Sequence, residues 1–358
     1  MLFKNTDGST ILRFLPKTFF LLLVINSGLS GMQAAGSDSL AKSALRPEIE
    51  GQWWQVAGDP DLGEFTSPGQ QPVDFAVWQA KDGTWQLWSC IRKTKCGGNT
   101  RLFYRWEAKN LTDKNWKPMG IAMQADINLG EQKGGLQAPH VIKVGNVYYM
   151  FYGDWIRICL AKSDDGKTFA RLLNENKQPD LFSGPYNNTR DAMVLVMDGK
   201  YYCYYTGHLV DKNVGADFCR ISRDLRNWSK PVMVASGGRA GGTKYSAECP
   251  HVVYMPGPKQ KAGHSENRQR KGLFYLFRTQ RYGKNNVSSV YASPDPLNFG
   301  NDDDRYFVGT LDVAAPEIIN YEGQYYIAAL LPNLKGIRIA RLKWVPVEAE
   351  DETSRILK

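Results

Sequence analysis

The sequence predicts an all-β chain: a five-bladed β-propeller of four-stranded antiparallel blades around a central channel. Three observations predict it. A hairpin phrase is written five times, and a turn phrase follows its first four copies. The copies start roughly 50 to 65 residues apart, a period that suits one blade. Composition agrees, with 42% hydrophobic content for a core and 12% aromatic content in which Tyr and Trp are prominent.

Residues 1–35 are read as an export signal. Lys4, Arg13 and Lys17 precede the apolar run FFLLLVI (19–25), and small residues follow. The run is shorter than the roughly 20 apolar residues of a spanning helix. No clean A-x-A marks cleavage, so an uncleaved anchor is the alternative. After cleavage no stable membrane insertion is expected, and the protein is exported, periplasmic or extracellular. Residues 36–48 are a linker, 49–348 the propeller and 349–358 a charged tail.

The hairpin copies read VDFAVWQAKDGTWQLWSC from Val73, APHVIKVGNVYYMFYGDW from Ala138 and RDAMVLVMDGKYYCYYTGH from Arg190. The fourth runs from Glu248 as ECPHVVYMPG and resumes as GLFYLFRTQ, and the fifth is APEIINYEGQYYIAALL from Ala315. Each sets β-branched and aromatic runs around a Gly-containing turn. The second phrase, LTDKNW (111–116), SDDGKTF (163–169), SRDLRNW (222–228) and SPDPLNF (293–299), places a turn acid before an aromatic. It marks the corner between third and fourth strands. The fifth copy ends in GIRIARLKWV (336–345) and lacks a fourth strand, which GQWWQVAG (51–58) would supply to close the ring.

The net charge of +9 is spread along the chain. It suits an acidic substrate or simply a solvated basic surface. No zinc-finger or basic-zipper motif is present, so nucleic acid is not an expected partner. Export permits disulfides among the six cysteines. Cys203 and Cys219, in successive strand-like runs, form a plausible cross-strand pair, and Cys90 and Cys96 bracket one loop. No C-x-x-C pair exists, which argues against zinc.

In a propeller the innermost strands line the channel, so their starts converge on one mouth. Here those starts carry Asp74, His140, Asp191, Glu248 and Glu317. Strand-starting acids are ordinarily turn residues, but several at one repeat position suggest a carboxylate site. Two acids serve glycoside hydrolysis, one protonating the leaving oxygen and one activating water or attacking the anomeric carbon. A third would raise the acid's pKa by repulsion.

At these residues the chain resembles the five-bladed glycoside hydrolases of families 43 and 32, over essentially the whole length after the leader. TRDAM at Arg190–Asp191 looks like the R-D-P motif of family 32. AECP at Glu248–Cys249 resembles that family's E-C motif and the E-G-P of family 43. QAPHV and AAPEI resemble the W-A-P-[DE] second blade of family 43. The resemblance implies Asp74 as general base or nucleophile, Asp191 as pKa modulator and transition-state stabiliser, and Glu248 as general acid. The chain departs from both patterns: Phe75 follows Asp74 where Pro is usual, and His140 stands where blade two usually has an acid. Blade five opens with APE, without the His that family 43 uses near a central calcium. An outlying or separate family of this superfold fits these departures, with no cofactor and no metal ligands expected.

Loops after the second strands should line the pocket. They carry Arg92, Asp154, Trp155, His208, Arg278, Gln280, Arg281 and Tyr282, and Arg190 joins them as a substrate contact. Trp155 is a stacking platform or a buried core residue. His208 bonds a sugar hydroxyl or satisfies the structure. Arg278 and Arg281 grip a carboxylate, sulfate or phosphate, or pair with an acid of a neighbouring blade. The basic insert GPKQKAGHSENRQRKG (257–272) belongs on the opposite face, as a solvated loop.

The expected function is hydrolysis of O-glycosyl bonds in a polysaccharide or oligosaccharide by a monomer, on a substrate that these arginines suggest is anionic. Inversion is favoured because the phrasing is closer to family 43. A glycoside phosphorylase and a non-catalytic carbohydrate-binding propeller are the alternatives. A sialidase, with six blades and a Tyr nucleophile, fits five copies poorly.

Overall fold

Alternation of apolar and polar residues between short turns leaves strands little choice of partner but their sequence neighbours, and five meanders result. A computed structural model of the chain describes residues 44–184, 188–209, 211–257 and 272–347. The expected leader, most of the linker, the interior of the basic insert and the charged tail lie outside the described residues. Among the described residues, twenty-one strands form five antiparallel sheets. None of the helices there is long and apolar enough to cross a membrane.

Strand β1 (Leu45–Ala57) comes first but belongs to the last blade. Blade one is β2 (Gln71–Gln79), β3 (Trp85–Arg92), β4 (Leu102–Ala108) and β5 (Lys117–Met123). Blade two is β6 (Gln137–Val144), β7 (Val147–Gly153) and β8 (Arg157–Ser163), edged by the short β9 (Ala170–Arg171) and β10 (Asp180–Ser183). Blade three is β11 (Arg190–Met197), β12 (Lys200–Leu209), β13 (Val214–Ser222) and β14 (Val232–Ser236). Blade four is β15 (Glu248–Met255), β16 (Leu273–Arg281), β17 (Val287–Ser293) and β18 (Phe307–Leu311). Blade five is β19 (Glu317–Tyr321), β20 (Gln324–Leu330) and β21 (Ile337–Pro346), completed by β1.

The closing strand is longer than its expected core. Leu45 pairs with Pro346 and Ala57 with Ile337, so pairing begins four residues before the expected boundary at 49. A register shift between Glu50 and Trp54 lets this long strand follow the twist of the blade.

In blades two and three the repeated turn phrase has the same physical cause. Asp165 Oδ1 accepts from the backbone N–H groups of Lys167 and Thr168, and Asp224 Oδ1 does the same for Arg226 and Asn227. The aromatic that ends each phrase then turns inward. Trp116 and Phe299 are buried, and Phe169 packs edge-on to Trp78 and Trp88. Bonds such as Trp78 Nε1 to Gly166 O at 2.8 Å tie one blade to the next.

The core lies between blades. Val56, Trp88, Phe103, Met150, Ala328 and Ile339 belong to one buried cluster that joins blades five, one and two. Fully burying a side chain of this size contributes about 1.5–3 kcal/mol. Cys203 lies opposite Arg220, and Cys219 opposite Tyr204. Successive residues face opposite sides of a strand, so these two thiols point to different faces and cannot form the expected pair. All six cysteines carry free thiols.

Candidate active site

The inner strands do not start as plain strands. Asp74, Ala138, Asp191, Cys249 and Ala315 all have left-handed backbone, with φ between 38° and 57°. In the first four blades the ladder with the second strand shifts register across this residue. A bulge of this kind inserts one residue, so neighbours that would face opposite sides both reach the channel. Val73 and Asp74 accordingly line the same cavity. Left-handed backbone is costly for a non-Gly residue. Since Ala138 and Ala315 bear it too, the strain belongs to the fold rather than to the chemistry.

This sets a repeat register. Asp74, Asp191 and Cys249 share the bulge position, and Glu248 lies one residue earlier, level with Arg190, Gln137 and Val73. His140, His251 and Glu317 lie two residues later. The acids therefore come from different steps of the repeat, yet Asp74, Asp191 and Glu248 line one cavity of about 360 Å³.

Arg190 holds the acids together. It is buried, with Nη2 at 2.5 Å from Glu248 Oε1 and Nε at 3.5 Å from Asp191 Oδ2. Asn188 accepts from its Nη1. Asp191 also accepts from the Cys249 backbone N–H at 3.3 Å and faces the Gln137 amide at 3.4 Å. The Cys249 thiol lies 3.4 Å from Asp74 Oδ1 and 3.2 Å from the Tyr282 hydroxyl.

Burial pushes the Asp74 carboxyl up to about 7, helped by the charges of Asp191 and Glu248, with Arg92 pulling the other way. Burial also raises Glu248 above the ordinary carboxylate value, against the pull of Arg190. Asp74, Asp191 and Cys249 offer ligand atoms within 4.8 Å of one another. Burial pushes the Cys249 thiol well above its ordinary value. The thiol is thus a neutral neighbour of Asp74.

Arg92, Trp155 and Tyr282 line the cavity as expected. Trp155 has φ 82°, and its ring lies 4.5 Å from the Arg190 guanidinium. Gln137, Arg101 and Tyr245 also line it, and the sequence reading missed them. Gln137 is the first residue of QAPHV, one step before the bulge and level with Arg190 and Glu248.

Other expected contacts sit elsewhere. Asp154 is buried, pairs with Arg157 at 3.2 Å and accepts from Ile156 N, shaping the turn that presents Trp155. His208 is buried beside Arg190, 2.6 Å from Asn188 Nδ2 through Nδ1, and supports that arginine. Arg278 is fully buried, with Nε 2.9 Å from Asp217 Oδ2 of blade three. Gln280 and Arg281 line a separate cavity of about 850 Å³ with Arg239 and Lys284. His140 and Glu317 belong to a second layer around His251, whose Nε2 accepts from Ile318 N and whose Nδ1 faces Glu317 Oε2 at 3.3 Å. The His140 ring centre lies 6.5 Å from that of His251, and burial lowers its pKa to about 4. Glu317 still reaches a narrow space of about 20 Å³ shared with Asp74 and Asp191.

No family model matches the chain, and no curated protein matches it. Solved structures share its fold. One is an endo-arabinase from Bacteroides thetaiotaomicron, 15% identical, with a TM-score of 0.52 over 81% of this chain and 99% of that one. Another is a family 117 glycoside hydrolase from the marine bacterium Zobellia galactanivorans, 12% identical, TM-score 0.52, covering 87% of this chain and 94% of that one. A third is the sucrose-6-phosphate hydrolase of Lactobacillus gasseri, 12% identical, TM-score 0.55, covering 90% and 66%. The chain is similar in fold to these five-bladed propeller enzymes.

Proposed function

We propose that the protein hydrolyses O-glycosidic bonds of a carbohydrate, with Glu248 as general acid, Asp74 as general base or nucleophile and Asp191 as stabiliser of the developing positive charge. The observation that carries this is the shared cavity of the three carboxylates, walled by Trp155, Tyr245 and Tyr282. Aromatic faces suit the apolar faces of sugar rings, and the elevated Glu248 carboxyl suits a proton donor. We favour inversion, because the motif phrasing is nearer to family 43. Export follows from the leader, and a monomer is the working assembly.

A screen of plant and algal polysaccharides with wild-type protein, Glu248→Gln and Asp191→Asn tests the reading. Cleavage abolished by both substitutions supports it, and cleavage surviving both removes the site. Product anomer, read by NMR, separates inversion from retention. Arg92 and Arg101 in the cavity favour phosphorolysis as a second reading. It predicts sugar phosphate as product and turnover that depends on inorganic phosphate.

A further inference from the structure

Buried and half-buried guanidiniums in this protein usually meet an acid or spend their N–H groups on backbone. Arg190, Arg278, Arg157 and Arg171 lie 2.5, 2.9, 3.2 and 2.7 Å from carboxylates. Arg220 and Arg338 have no acid, but they donate to backbone carbonyls and lie over the Phe182 and Trp53 rings. Two arginines of the cavity wall meet no acid, although the cavity holds three. Arg92 is held by one bond, Nε to Gln71 Oε1 at 2.9 Å. Arg101 donates Nη1 to Asn99 O at 3.0 Å and lies 5.8 Å from the centre of the Trp155 ring. Among the described residues, neither has a carboxylate oxygen within 4.0 Å. Both line the cavity with Asp74 and Glu248.

We propose that Arg92 and Arg101 form a fork for an oxyanion carried by the glycan itself, a uronate carboxylate or a sulfate ester on a sugar bound in this cavity. The proposal rests on the hydrolase reading above. Guanidinium groups bind such anions in bidentate, charge-assisted fashion. The balance of charge in the cavity agrees. Arg190 is occupied by Asp191 and Glu248, and burial keeps Asp74 protonated up to about 7. A lone neutral sugar would leave Arg101 without a counter-charge, and Arg92 with Asp74 alone once that carboxyl ionises. Beyond Tyr282, Arg239, Arg281 and Lys284 line the 850 Å³ cavity, with Asp312 their one acid there. A polymer carrying repeated anions would find a second basic surface at that cavity.

Calorimetric titration of the Glu248→Gln protein tests the proposal without turnover. The probes are trigalacturonate, a κ-carrageenan tetrasaccharide and neutral xylotetraose, at matched ionic strength. One acidic probe should bind at least about tenfold more tightly than the neutral one, and added Arg92→Gln or Arg101→Gln should each remove most of that preference. Whichever acidic probe binds identifies carboxylate or sulfate as the anion. Equal binding of the neutral probe, no binding of either acidic probe, or a preference untouched by both substitutions would overturn the proposal. Arg101→Lys, which keeps the charge and loses the fork, serves if a Gln variant fails to fold, and should weaken acidic binding alone. Turnover that requires inorganic phosphate would reassign the arginines to phosphate. Cleavage of neutral glycans that Glu248→Gln abolishes would sink this inference and leave the hydrolase reading standing. Acidic binding with no cleavage by wild-type protein would do the reverse.

Discussion

Arg190 Nη2 and Glu248 Oε1 meet at 2.5 Å across two blades, although 58 residues separate them in the chain. The same guanidinium faces Asp191, its own neighbour, so one buried cation spans two of the three carboxylates. This contact makes the repeat register matter: the bulge at Asp191 and Cys249 brings an Arg from one blade against a Glu from the next.

Replacing Arg190 by Lys should therefore alter the chemistry as well as the fold. Lys is a point charge and cannot span both acids as a fork. Arg190 is what lowers the Glu248 carboxyl against burial, so weakening the contact should move the basic limb of the kcat/KM profile to higher pH. Loss of positioning should lower kcat by about 10²-fold. A pH profile with both limbs in place would show that Arg190 only packs.

Much of this was legible before any coordinates. Asp-Gly, Gly-Asn and Glu-Gly turns marked the hairpins, and a turn acid before an aromatic marked the third-strand corner of the first four blades. The missing fourth strand of blade five pointed back to Trp53–Trp54. The bulge was not legible, because strand reading assumes a period of two and an inserted left-handed residue resets it. That is why His140 and Glu317 were placed level with Asp191, although they lie two residues deeper. Asp154 departs from its expected place for another reason, and of the two readings open for His208 and Arg278 the structural one holds. A polar residue near a mouth looks like a ligand contact until its partner is known: Asp217 reaches Arg278 from the neighbouring blade, and Arg157 lies only three residues after Asp154.

Asp74 should couple activity and stability to pH in opposite directions. Its folded carboxyl titrates near 7, against an ordinary value of 3.8. Between these values the folded state keeps a proton that the unfolded chain has lost, so its contribution to stability is full below 3.8 and declines until about pH 7. Asp74→Asn keeps the site neutral. It should raise Tm relative to wild type at pH 8 more than at pH 4, by an amount equivalent to about 1–3 kcal/mol. As the base, Asp74 must be ionised, so wild-type kcat/KM should rise through about pH 7. Equal Tm differences at both pH values would remove this account.

The Asp217–Arg278 pair should be a stability element rather than part of the site. Both side chains are fully buried, with Nε and Oδ2 2.9 Å apart, joining blades three and four. Asp217→Asn leaves a buried guanidinium uncompensated and should cost about 3–5 kcal/mol in denaturant unfolding. Replacing both residues together, Asp217→Leu with Arg278→Met, should cost markedly less, because no charge is left stranded. A double variant as unstable as the single one would mean that the packing of these side chains, not their charge, holds the blades.

Removal of β1 should open the ring. Its residues Leu45–Glu50 and Trp54–Ala57 pair with β21, and without them β21 becomes an edge with unpaired N–H and C=O groups. Blade five would also lose Val56 and Ala57, which are almost completely buried. The bonds that tie β1 to blade one, Trp116 N to Val56 O at 2.7 Å and Asn115 N to Gln55 O at 3.1 Å, would go too. A chain starting at Gly58 should therefore lose cooperative thermal unfolding and associate through the exposed edge, whereas one starting at Ala44 should unfold in a single transition. A peptide of residues 44–57 added in trans should restore the transition in the shorter chain. Cooperative unfolding of the shorter chain alone would show that β1 covers the ring without closing it.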